Sequence, residues 1–181
     1  MQHRTKASPM SKYWRLHDSV ELAKLSPTFS ADMAEMKKRG VRIHWSAGAC
    51  QAYTPAVGNK LVIGLRCSQD SIVRFLAHEA GHVLLKQLPF PIPAGMSEEE
   101  YVHEALECET EALVHEAQIV DELLGLNVYV DCYRSLNLMR RGGRRAIRAA
   151  VGSMITSTTG ETYEDYYRRI YRFDRAIQRR R

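Results

Sequence analysis

No stretch of this 181-residue chain approaches the roughly 20 consecutive apolar residues of a membrane-spanning helix, so no helical span is expected. Cysteine is scarce. Cys50, Cys67, Cys108 and Cys132 lie far apart with no C-x-x-C among them. That excludes a disulfide-stapled miniprotein and leads to the expectation of reduced thiols. The stretch from Met1 to Tyr13 is polar and basic and lacks the apolar segment of a Sec-type signal. The expected location is therefore cytoplasmic, with specialised export through an uncleaved signal still compatible. Lysine is absent from residues 134–181, which carry 13 Arg against 4 Asp+Glu, a net of +9. Residues 1–133 carry 13 Lys+Arg against 17 Asp+Glu, a net of −4. What is present in ordinary measure is core material: 45% hydrophobic and 26% charged residues exclude a wholly disordered or collagen-like chain.

The periodicities predict helices first, a few strands next, and helices again. Asp18 to Leu25 reads as a short helix stopping before Pro27. Ser30 reads as an N-cap for a helix over Ala31 to Arg39, with Gly40 closing it. Val41 to Trp45 alternates apolar and polar residues as a strand does. Cys50 to Tyr53 and Lys60 to Leu65 read as two more, with a turn at Gly58–Asn59. Ser71 to Gln87 is an amphipathic helix ended by a proline-rich loop. Ser97 and Glu100 form a capping box opening a long helix to Leu124. Gly142–Gly143 is a break, and Glu161 to Arg180 a last helix bearing Tyr163, Tyr166, Tyr167 and Tyr171. The order is that of an α+β chain. Residues 1–133 form the expected main domain and 134–181 a basic helical extension packed on or beside it.

One motif carries chemistry. His78-Glu79-Ala80-Gly81-His82 is H-E-x-x-H on a predicted helix. Residues at i and i+4 share a helix face, so both imidazoles can reach one Zn²⁺. Glu79 then stands where a general base can take a proton from an activated water and hand it to a leaving amine. A glycine inside a helix costs about 1 kcal/mol relative to alanine, so Gly81 implies close approach by another backbone.

The run from Ile72 to Leu85 around this motif resembles the active-site helix of zincin metallopeptidases. Together with the short strands before it and the acidic helix after it, it resembles the small gluzincin type. ImmA/IrrE-like peptidases and the peptidase domains of phage and polyvalent proteins are nearest. The resemblance covers roughly residues 41–124. No H-x-x-G-x-x-H extension follows, so the metzincin pattern is absent. The resemblance implies a minimal zincin-like domain: a small, mostly antiparallel sheet, an H-E-x-x-H helix and a second, acidic helix that supplies a ligand. It further implies a zinc-dependent hydrolase acting on the peptide bonds of a protein substrate. Lys60 to Leu65 would be the edge strand that receives the substrate backbone.

A third ligand is then sought on the acidic helix. At about 100° per residue, Glu109 falls at the centre of the face made by Val102, Ala105, Leu106, Ala112, Leu113, Val120 and Leu123. Glu107 points about 160° away from it. A carboxylate on a buried face is costly unless paired or bound to a metal, which favours Glu109. Glu109-Thr-Glu-Ala112 also matches the E-x-x-A of ImmA/IrrE-like peptidases. Glu107 remains the rival, because Glu107-x-x-x-Glu111 is similar to the E-x-x-x-D of thermolysin-like enzymes.

The remaining candidates are less sharply drawn. Glu116 could orient a ligand histidine, but an arginine of the basic extension is the favoured partner. His103 and His115 are expected at the surface or against that extension. One of the four tyrosines is a candidate donor to an oxyanion, and the sequence does not choose among them. The arginines either neutralise the acidic helix 98–122 or contact nucleic acid or an acidic partner. The alternative function is therefore a non-catalytic zincin-scaffold module that docks such a partner through 134–181.

Overall fold

The computed structural model describes residues 17–48, 50–55, 59–130, 133–156 and 159–180. The expected loose start over 1–16, the Gly58 half of the predicted turn and Cys132 lie outside them. Residues 17–23 form a short helix, α1. Then follow α2 (Pro27–Lys38), β1 (Arg42–Ser46), β2 (Ala52–Tyr53), β3 (Lys60–Gly64), α3 (Gln69–Leu84), α4 (Glu98–Gly125), α5 (Tyr133–Val151) and α6 (Tyr163–Gln178). The α+β class is as the sequence implies. Among the described residues, no helix is long and apolar enough to cross a membrane.

Several boundaries follow from local chemistry. Pro27 does end α1, but it also opens α2. Ser26, not Ser30, is the N-cap, accepting from the Phe29 N–H with proline in the first turn. A proline there lacks an N–H that the helix would have left unpaired anyway. Ser97 and Glu100 make the full capping box of α4. That helix runs through Gly125, and Asn127, at φ 60°, turns the chain after it. Gly142 and Gly143 break α5 into two helical pieces, Gly143 at φ 59°.

The sheet differs from the expected one. Its order is β1-β3-β2, with β1 parallel to β3 over five residue pairs and β2 antiparallel to it over two. It is mixed rather than mostly antiparallel, and β3 is its centre rather than its edge. The reason is in β3 itself: Leu61, Val62, Ile63 and Gly64 are all buried. A strand buried on both faces reads as a continuous apolar run, whereas an edge or one-sided strand alternates. The edge nearest α3 is β2. Its pairing of Ala52 with Ile63 also brings residues 50 and 67 to the same end of the hairpin. Cys50 and Cys67 are joined there in a disulfide, Cα–Cα 4.5 Å, which corrects the expectation of reduced thiols. Cys108 is free and buried. Burial pushes its thiol up to about 11.

Two cores share α4. Phe29, Leu61, Ile63, Ile72, Leu76, Ile119 and Leu123 belong to the first, between α2, the sheet, α3 and the second half of α4. Tyr101, Val102, Leu106, Ile147, Val151 and Tyr167 belong to the second, between the first half of α4, α5 and α6. Arginines of α5 and α6 tie the outside of α4. Arg144 pairs with Glu107 and Glu111, Arg148 with Glu107, Arg140 with Asp121, and Arg168 and Arg172 with Glu98.

The α3–α4 crossing is tight at one point. A Cβ added to Gly81 would lie 2.8 Å from the Ala112 Cα and 3.3 Å from its Cβ. The neighbour is backbone, so it cannot swing aside. Gly81→Ala should therefore destabilise the protein despite the roughly 1 kcal/mol gained in helix propensity, by a net of about 1–3 kcal/mol typical of overpacking. Chemical denaturation measures it, and a variant at least as stable as the parent would contradict the close packing.

Candidate metal centre

The crossing decides what faces what. With α3 held against α4 at Gly81 and Ala112, His78 and His82 present one face to Glu109, three residues before Ala112. His78 and Glu109 are 8% and 4% exposed. The two Nε2 atoms are 3.1 Å apart, and each is 3.4 Å from Glu109 Oε2. Four ligands held at 2.0–2.1 Å around a tetrahedral zinc are separated by about 3.3–3.4 Å. The three donor atoms already form one face of such a tetrahedron. This is also the cluster of His, Cys, Asp and Glu that can hold a metal among the described residues.

Electrostatics point the same way. Glu109 Oε2 is buried without a hydrogen-bond partner of its own. The other oxygen, Oε1, accepts from the Tyr167 hydroxyl. Burial pushes the Glu109 carboxyl up, but the facing imidazoles push it further down, well below the ordinary carboxylate range. Burial likewise pushes His78 down, while Glu109 and Glu116 together raise it well above its ordinary 6.5. Two buried carboxylates against one imidazole make a place that demands positive charge. A proton can supply that charge, and so can a dication. The donor set of two imidazoles and a carboxylate suits zinc and related first-row metals.

Around these three lies a supporting shell. Glu116 Oε2 sits 3.2 Å from His78 Nδ1, at ion-pair distance but out of line for a hydrogen bond. Its Oε1 accepts from Ser135 at 2.8 Å. Among the described residues it is thus paired with His78 and Ser135 rather than with an arginine, which corrects the favoured expectation. A carboxylate on the far nitrogen of a ligand histidine fixes the ring's tautomer and orientation. Tyr167 does the equivalent for Glu109. It comes from α6, outside the region of family resemblance, and no spacing in the sequence could have aimed it.

The other candidates are placed elsewhere. Glu107, on the opposite side of α4, is engaged by Arg144 and Arg148 and does not approach the histidines. His103 contacts Arg148 at 3.2 Å, as expected of a residue facing the basic extension. His115 does not lie at the surface. It is buried and pairs with Asp32 of α2 at 2.6 Å. Its position beside Gly81 on the packed α4 face explains this. Tyr171 donates to the Met96 carbonyl, and Tyr166 packs edge-on against Tyr167.

Glu79 lines the same cleft, a space of about 910 Å³ that also takes in His78, His82, Tyr163 and β2. Thr54, just past β2, donates to Glu79 Oε2 at 2.8 Å. Sequence reasoning misses Thr54, because nothing local distinguishes it from any loop threonine. Burial raises the Tyr163 phenol well above its ordinary value, and Glu109, Glu116 and Glu79 raise it further. No family model, curated protein or solved structure matches the chain.

Two measurements test this centre. Zinc affinity by chelator competition should fall more than about 100-fold in Glu109→Ala and about 10–100-fold in Tyr167→Phe, as loss of an outer partner does. Glu107→Ala should leave the affinity within about twofold and cost stability by at most about 1 kcal/mol. Loss of zinc from Glu107→Ala with retention in Glu109→Ala would reverse the assignment.

The second measurement is pH dependence. In the metal-free protein, the raised His78 contributes stability that is present below 6.5 and lost as pH rises through its higher folded value. The lowered Glu109 contributes stability that is present above 4.5 and lost as pH falls through its folded value. Metal must displace the His78 proton, so affinity should climb about tenfold per pH unit as pH rises toward the raised folded value of His78. Calorimetry in buffers of different ionisation heat counts the proton released. Binding without release would contradict a protonated, carboxylate-held His78.

Proposed function

We propose that the chain is a zinc-dependent metallopeptidase that hydrolyses peptide bonds of a protein substrate. The observation that carries this reading is the position of Glu79. A general base sits beside a three-ligand centre, in an accessible cleft. Catalytic zinc sites use three protein ligands and leave a fourth position open, while structural sites are closed by four. A structural site has no use for an acid between its histidines.

When bound, zinc would supply polarisation of the scissile carbonyl and a lowered pKa for water. The chain's own groups do the rest. Thr54 fixes one oxygen of Glu79, leaving Oε1 to take the proton of the attacking water. The same carboxyl then delivers that proton to the departing amine. Tyr163 is the tyrosine suited to the developing oxyanion. It lines the cleft, and burial and the nearby carboxylates keep its phenol protonated and therefore a donor. Tyr167 is engaged with Glu109 and serves to hold that carboxylate. With β3 central in the sheet, β2 is the edge strand that lines the cleft beside Thr54 and Glu79 and would receive an extended substrate.

Docking of nucleic acid through residues 134–181 draws less support. Arg140, Arg144, Arg148, Arg168 and Arg172 are each engaged by acids of α4.

Glu79→Gln should keep the fold and about one zinc per chain but lose hydrolysis of an unfolded protein substrate by about 10²–10⁴-fold. Plasma emission reads the metal, and gel or mass-spectrometric cleavage assays read the activity. Cleavage by the Glu79→Gln variant at the parent rate would remove Glu79 from the chemistry.

A further inference from the structure

The mouth of the cleft has a composition that the metal chemistry does not use. Its acids, Glu79, Glu109 and Glu116, are all buried at the floor, at 4–5% exposure. Among the described residues, every other charged residue lining the cleft is a cation: Arg39, Lys60, Arg74, Lys86 and Arg134. Two of these are spoken for, Arg39 by Glu35 at 2.8 Å and Lys86 by Glu104 at 2.6 Å. Lys60, Arg74 and Arg134 have no carboxylate within ion-pair distance among the described residues. Other described arginines, among them Arg42, Arg66, Arg141 and Arg145, also form no ion pair, so what distinguishes these three is that they surround one opening. Arg74 is one turn ahead of His78 on α3, Lys60 opens β3, and Arg134 precedes Ser135. The three approach the centre from different elements.

Between the cations the walls are apolar. Tyr53, Phe90 and Ile155 are among the large hydrophobic side chains most exposed to solvent, at 43%, 57% and 57%, and all three line this cleft. Phe75 lies beneath the Arg74 guanidinium, 5.0 Å from ring centre to carbon. An occupant that satisfies both features has apolar side chains at its middle and negative charge on either side.

Resting on the peptidase reading, we infer that the cleft selects polypeptide segments in which acidic residues flank an apolar pair at the scissile bond. A nucleic acid fits less well. Three cations spread around an opening, with aliphatic and aromatic walls between them, do not track a phosphate backbone, whose binders align many cations along one groove.

The test uses fluorescein-labelled decapeptides with a central Leu-Phe pair flanked on both sides by Glu, by Gln or by Lys. Anisotropy against the full-length, zinc-loaded Glu79→Gln chain reads recognition without turnover. The wild-type chain gives kcat/KM for the same peptides. The Glu-flanked peptide should bind about tenfold tighter than the Lys-flanked one, the sum of a few exposed charge pairs. The difference should shrink as salt shortens the Debye length from about 10 Å at 0.1 M to about 3 Å at 1 M. Placing K60E and R74E in that chain should invert the order. Placing R141E and R145E there, which reverses two exposed charges away from the cleft, should not. Zinc content and melting temperature verify that both variants are folded.

The inference is overturned if the Lys-flanked peptide binds as well as the Glu-flanked one, or if no peptide binds. It is equally overturned if both charge reversals shift the order alike, or if oligothymidylate displaces the acidic peptide and binds more tightly. The peptidase reading fails separately. Ranked binding that follows the cleft charges, with no cleavage of any peptide by the wild type, sinks the hydrolase and leaves the recognition standing.

Discussion

A buried carboxylate without a counter-charge is among the most expensive things a fold can contain, and Glu109 is the one this structure is arranged around. It sits on α4 where the two hydrophobic cores meet, with α3 on one side and α6 on the other. One oxygen is satisfied by Tyr167. The other is aimed at two imidazoles. That arrangement is stable only if positive charge resides between His78, His82 and Glu109, and the two carboxylates that raise His78 favour a proton there in the metal-free protein. The close approach at Gly81 is the geometric condition for all of this. A helix separation larger by the width of a methyl group would move both imidazoles away from the carboxylate.

The segment after residue 133 enters the same argument from another direction. Ser135 of α5 holds Glu116 against His78, and Tyr167 of α6 holds Glu109. Two of the groups that orient the ligands therefore come from the basic extension. Its arginines have a corresponding role on the opposite face of α4, where they neutralise Glu98, Glu107 and Glu111 and so allow the helix to be acidic on its outside and apolar within. Charge of opposite sign in the two parts of the chain is thus used internally. Among the described residues, the cations in no ion pair include Lys60, Arg74 and Arg134 at the mouth of the cleft, Arg42 in β1, and Arg141 and Arg145 in α5.

How much of this is legible in the sequence varies with the range of the interaction. The two long helices α3 and α4, the last helix, the capping box at Ser97, the break at Gly142–Gly143 and the meaning of Gly81 are local signals, and they read correctly, whereas α5 is marked in the sequence only by that break. Glu109 can be distinguished from Glu107 because a 3.6-residue period over a long helix reports which side is buried. The failures are long-range or ambiguous. Pro27 both ends one helix and begins the next, and the sequence reading takes only the first role. The uniform Leu-Val-Ile of β3 signals a central strand, yet the resemblance to zincins suggests an edge. The Cys50–Cys67 pairing depends on the β2–β3 register, and β2 has only two residues. His115 reads as one more histidine on an acidic helix, and only the packing of α2 shows it to be buried against Asp32. Thr54 carries no local mark, and Tyr167 is marked only as one of four candidate oxyanion donors, not as the partner of Glu109.

Zinc-edge anomalous diffraction from crystals of the zinc-loaded full chain tests the central claim most directly. The account predicts a single strong peak at about 2.0–2.2 Å from His78 Nε2, His82 Nε2 and Glu109 Oε2, with Glu79 beside it but outside bonding distance. A peak coordinated by Glu107 or Glu111, or zinc bound only at surface histidines with the His78, His82 and Glu109 cluster empty, would contradict it.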